Sequence, residues 1–132
     1  MYQSLVLIDP ESSISAEQLY DELCRFYDGK HGAPDHIDLS DQTVILRCPG
    51  YALEAVGETA PHVLVESQEI ANRYAQHHPA RERIAGCAAR FLLSGGFDPG
   101  MLRFNDYLFV GEALARLGTV YRLEPGTGQF LD

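Results

Sequence analysis

FNDYLFVGEALARLGTVYRLEPGTGQFL, residues Phe104 to Leu131, reads as a helix, a stop, a strand, a tight turn and a closing strand in one run. Asn105 or Asp106 is a short acceptor of the kind that caps a first helical turn. Tyr107, Val110, Leu114 and Leu117 recur at helical spacing, with Phe109 and Ala113 widening the apolar face. Glu112 and Arg116 stand four apart with the acid first, the favourable order for a helical ion pair. Gly118 is placed as a left-handed C-cap. Gly111 sits inside the helix at a cost of roughly 1 kcal/mol against alanine, which points to a close neighbour, a backbone for instance. Thr119 to Leu123 alternates and is rich in β-formers. Glu124-Pro125-Gly126-Thr127-Gly128 is turn chemistry, and no Lys-Ser/Thr follows to make its glycines a phosphate loop.

The rest of the chain reads as elements that cover this unit. Ser4 to Ile8 is a short apolar run ended by Asp9-Pro10, a buried strand. Ser15 and Gln18 form a capping box, stapled by Ile14 and Leu19, and the helix it opens presents Leu19, Leu23, Phe26 and Tyr27 before Gly29 ends it. His36 to Leu39, Thr43 to Cys48, Tyr51 to Val56 and His62 to Val65 read as short strands joined by short loops, an antiparallel meander. Ser67 to His78 reads as a second helix, capped by Ser67 and stopped by Pro79. Residues 84–93 fit a helical stripe and a strand about equally, and strand is preferred because the closing hairpin needs a partner. Leu5 to Ile8 and Val63 to Val65 each precede a serine-capped helix, a faint strand–helix–strand echo with no fixed period. The expectation is a single α+β domain over residues 1–132, a mostly antiparallel sheet packed by two or three helices.

The 132 residues carry 19 acids against 10 bases, for a formal charge of −9. Residues 1–41 hold a net −7, whereas residues 66–103 hold five arginines and a net +1. Such an acidic surface repels phosphate backbones and anionic membranes, so neither nucleic acid nor membrane is expected as a partner. Solubility alone also explains the charge. Cys24, Cys48 and Cys87 are an odd, widely spaced set with no CxxC, read as small buried hydrophobes in a reducing cytoplasm. The N-terminal stretch lacks a basic region, and no apolar run approaches membrane-spanning length.

Candidate chemistry is sparse. His31, Asp35, His36 and Asp38 share one loop, with ligand types that suit a divalent metal. Their H-x4-H spacing lacks the register that presents ligands on one face, so an exposed polar loop and no metal is the expectation. His77 and His78 are adjacent and point apart on a helix, which suits solvated residues at its negative end. Glu17/Asp21/Glu22 and Asp35/Asp38/Asp41 are carboxylate clusters without a visible partner acid or base. Arg81, Arg83, Arg90 and Arg103, with Arg73, form the one basic section. On one face they would clamp a carboxylate or a partner; otherwise they pair with the protein's own acidic residues.

No catalytic residue and no cofactor is assigned. The expectation is a small acidic cytoplasmic protein that works by binding another protein or itself, with a homodimer the natural guess. Isolated apolar and aromatic residues near turns, Tyr51, Phe97 and Phe104, support it. One alternative is a small enzyme or ligand-binding protein with a pocket between helix and sheet. Another is an acidic inhibitor of a basic enzyme, of the immunity-protein type.

Overall fold

A computed structural model describes residues 2–131. In chain order it contains β1 (Tyr2–Ile8), α1 (Ala16–Tyr27), β2 (His36–Ser40), β3 (Thr43–Cys48), β4 (Tyr51–Glu58), α2 (Pro61–Tyr74), α3 (Arg81–Ala85), β5 (Ala89–Gly95), α4 (Phe104–Leu117), β6 (Val120–Glu124) and β7 (Gln129–Leu131). Among the described residues the strands form one seven-stranded sheet, in the order β2-β3-β4-β5-β1-β6-β7. Every neighbouring pair is antiparallel.

Side chains alternate between the two faces of a strand, and β1 shows the result. Val6 and Ile8 enter one core with Leu19 and Leu23 of α1 and Val110 and Leu114 of α4. Leu7 enters a second core on the opposite face, with Ile70 and Ala71 of α2, Ile84 of α3 and Leu123 of β6. Helices therefore cover both faces of a sheet that runs through the whole chain, and the chain is a single α+β domain. Burying each of these large aliphatic side chains contributes about 1.5–3 kcal/mol.

Local signals hold where they are self-contained. The Ser15 hydroxyl accepts the Gln18 N–H, and Gln18 Oε1 accepts the Ser15 N–H, so both halves of the capping box form. The β2–β3–β4 meander closes with Asp41 and Gly50 at positive φ in its two turns.

Other expectations are corrected. His62–Val65 is not a strand: α2 begins at Pro61, whose fixed φ suits a first helical position. Val63, Ser67, Ile70 and Ala71 are its buried stripe. The strand–helix–strand echo loses its second strand with this change. Ser67 does not cap a helix; it is fully buried and donates to the Cys87 carbonyl at 2.7 Å. The helix ends at Tyr74, so His77 and His78 lie in the turns beyond it. Residues 84–93 divide, with the end of α3 before Gly86 and most of β5 after it, which makes α3 a fourth helix.

At the start of α4 the N-cap position is Arg103, without a side-chain capping bond. Gly118 is extended, with φ 178°, and a Cβ there would meet Ser12 Cβ at 3.1 Å, so close packing and not a left-handed turn calls for glycine. The neighbour of Gly111 is a side chain, Arg122, not a backbone. Arg116 bypasses Glu112 and pairs with Glu22 of α1 at 2.9 Å, tying the two helices of one layer together.

Candidate interaction site

The loop between β5 and α4, GFDPGMLR, is held by one carboxylate. Asp98 accepts from the Tyr2 hydroxyl at 2.6 Å, from the Leu102 N–H at 3.1 Å and from the Arg103 N–H at 2.8 Å. Burial pushes the Asp98 pKa up, but these donors outweigh it and leave it below the ordinary carboxylate value. The Tyr2 phenol is correspondingly raised to about 12, chiefly by its bond to Asp98. Gly100 and Met101 both take positive φ, and for Met101, which carries a Cβ, that conformation is unfavourable. The Asp98 bonds hold the turn in place against that cost.

The held loop turns its apolar side chains outward. Phe97 is 79% exposed, Met101 60% and Leu102 81%. Beside them lies a cleft of about 540 Å³, lined by Pro49, Gly50 and Tyr51 from the β3–β4 turn and by Phe97, Asp98, Pro99, Leu102 and Arg103 from the loop. Its underside is aromatic: Tyr51 meets Tyr2 edge-on at 6.4 Å, and Tyr2 stacks on Tyr107 at 5.1 Å. The Tyr51 hydroxyl is buried without a hydrogen-bond partner among the described residues. Below this layer Tyr27 donates to Asp106, and Arg103 reaches both Asp106, at 3.6 Å, and the Gly32 carbonyl, at 3.2 Å.

The four arginines do not converge. Arg81 donates to Asn72 at 2.9 Å. Arg83 clasps Asp9 and reaches Glu11 at 3.1 Å. Arg90, 6% exposed, pairs with Glu58 and Glu66 at 2.8 Å each, while its Nη1 has no partner among the described residues. Arg103 belongs to the loop cluster. The acidic first third thus supplies carboxylates to one of the four, Arg83, through Asp9 and Glu11.

His31, Asp35 and His36 are all exposed. Among the described residues no group of three or more His, Cys, Asp or Glu side chains is arranged to hold a metal ion. Asp38 pairs with Arg47 across the β2–β3 ladder. Burial raises the thiol pKa of Cys48, and that of Cys87 to about 12, so both are protonated thiols at neutral pH. Between α4 and the sheet, at the gap bounded by Ser4, Leu93, Tyr107 and Gly111, only about 10 Å³ is open to the centre of a water molecule, too little for a ligand. No described helix is long and apolar enough to cross a membrane.

Phe97 and Tyr51 are visible in the sequence as aromatics next to turns. Asp98 is not: its partner Tyr2 is 96 positions away. The Asp-Pro-Gly after Phe97 signals only a turn. The fold and the site together define an α+β domain with an apolar platform on a braced loop. Comparison with protein-family models, with curated proteins and with solved structures finds no match.

Proposed function

We propose that this protein works by association, and that its partner at the 97–102 loop is a second copy of the chain. The observation that supports it most is the pairing of Phe97, a protruding ring, with an adjoining cleft of about 540 Å³ on the same patch. A two-fold interface uses one patch on both subunits, so a knob beside a hole is self-complementary. Phe97 of each copy fills the other's cleft against Tyr51 and Pro99, and Leu102 packs at the centre. The Asp98 brace lowers the entropy lost on docking, since the loop is already ordered. The three free cysteines, two of them buried, support a cytoplasmic setting.

Sedimentation equilibrium tests this. The wild type should dimerise with a Kd of about 1–100 μM, and F97D and L102D should each weaken it at least tenfold. Each copy carries a charge of −9, so added salt should tighten a self-dimer by screening repulsion. A chain that stays monomeric to about 1 mM at every salt concentration removes the proposal.

The same charge supports a second reading, docking of a basic protein on the acidic surface. Its salt dependence has the opposite sign, with binding lost as salt rises.

A further inference from the structure

A second concave surface lies between the end of α2 and the closing hairpin, and it shares no residue with the loop cleft. Its volume is about 480 Å³, and it is lined by Arg73, Tyr74, Gln76, His77, His78, Gly128, Gln129 and Phe130. Among the described residues no carboxylate lines it. Among those lining residues Arg73 is the one that carries a fixed positive charge.

Six of the arginines have a carboxylate within 4.0 Å, and among the described residues Arg73 does not. Its guanidinium lies 5.4 Å from the Tyr74 ring centre, a position that leaves its N–H fork unspent. His78 accepts the Ala80 N–H at Nδ1, 3.0 Å away, so its neutral ring carries the proton on Nε2 and is a donor there. The negative end of α2 opposes an anion, but its last carbonyls are partly satisfied: Gln76 Nε2 donates to Asn72 O and the Ala75 N–H to Ala71 O. Glu69 adjoins Arg73 in a neighbouring groove and does not line this one.

The lining also includes three flat rings, those of Tyr74, His78 and Phe130. The His78 ring meets Phe130 edge-on at 5.2 Å and Tyr121 at 6.3 Å. Tyr74 seats on Gly128, where a Cβ would lie 2.7 Å from its ring. The hairpin and the end of α2 are thereby fixed against each other. Flat walls with one uncommitted guanidinium at the rim suit a planar ligand with a single negative end.

We propose that this groove binds a small aromatic carboxylate, its ring held among Tyr74, His78 and Phe130 and its carboxylate paired with Arg73. The class is set by both features. A bare anion leaves the aromatic walls unused, and a neutral ring leaves Arg73 unpaired.

Amide NMR titration of the full chain with benzoate, benzyl alcohol and inorganic phosphate separates these cases. Benzoate should give saturable shifts at Tyr74, His77, Gly128, Gln129 and Phe130, with a Kd of about 1–10 mM. Benzyl alcohol and phosphate should each bind about tenfold or more weakly. Arg73→Gln, a change at an exposed position, should weaken benzoate about tenfold and leave benzyl alcohol unchanged, while Phe130→Ala should weaken both. The proposal is overturned if benzoate gives no saturable shift at these amides up to about 50 mM. It is equally overturned if phosphate or benzyl alcohol matches benzoate, or if R73Q binds benzoate as the wild type does.

Discussion

Tyr51 and Gly95 share one space: a Cβ built on Gly95 would lie 2.1 Å from the Tyr51 hydroxyl oxygen. The register that pairs Leu53 of β4 with Gly95 of β5 puts the ring there. G95A should therefore cost about 2–3 kcal/mol through overpacking. Y51F should stabilise the protein by about 1 kcal/mol, because it removes a buried hydroxyl that has no partner among the described residues. In the Y51F background the cost of G95A should fall to about 1 kcal/mol, since the nearest remaining contacts exceed 3.0 Å. Urea denaturation of the four proteins measures the cycle, and additive effects would refute the shared space.

Asp9 and Arg83 make the corresponding polar link, 74 positions apart. Asp9 is 2% exposed and accepts from Arg83, from the Tyr121 hydroxyl at 2.6 Å and from the Glu11 N–H at 3.0 Å. The Arg83 bond, with Tyr121 and Glu11, overcomes burial and holds the carboxyl far below its ordinary pKa. A depressed folded-state pKa contributes stability that is complete above the unfolded value, about 4, and is lost as pH falls below it toward the folded value. D9N should cost about 3 kcal/mol at pH 7 and flatten part of the acid limb of the stability curve. Unfolding midpoints measured from pH 7 to pH 2 test both, and an unchanged acid limb would count against the assignment.

Ser67 joins α2 to the turn before β5. S67A leaves the buried Cys87 carbonyl without its 2.7 Å donor and should cost about 1–2 kcal/mol. Hydrogen exchange should speed up around residues 84–90 as well as in α2. Acceleration confined to the start of α2 would restore a capping role for this serine.

Two glycines should respond in opposite directions. Gly111 is helical, and a Cβ there meets only the flexible end of Arg122, at 3.3 Å, so G111A should stabilise by roughly 0.5–1 kcal/mol. Gly128 has φ +69° and faces the Tyr74 ring, so G128A should cost about 1–2 kcal/mol. Thermal melts of the two variants show the signs directly.

What the sequence displayed was what neighbours decide. Ser15 and Gln18 are three apart and satisfy each other, so their helix start was readable. The β2–β4 hairpins were readable for the same reason. His62–Val65 was not: its β-branched residues favour strand, but Val63 gains more by burial against the sheet as part of α2. The Arg83 and Arg90 partnerships and the Asp98 brace depend on residues brought together by sheet order. No local pattern announces them. The exposed character of Phe97 could be anticipated, and the rigidity that turns it into a platform could not.

Strand β1 sits inside the sheet, with Leu5 opposite Leu92 on one side and Leu123 on the other. During synthesis it is the first of the described strands to leave the ribosome, yet both its flanks arrive some 90 to 120 positions later. The β2–β4 meander can form early without it. The oily segment SLVLI must meanwhile stay in solution, unpaired until β5 is translated and paired on one flank alone until β6 follows. A stalled or truncated chain that stops before Val120 would leave one flank of that segment bare, a ready template for sticking to other nascent chains.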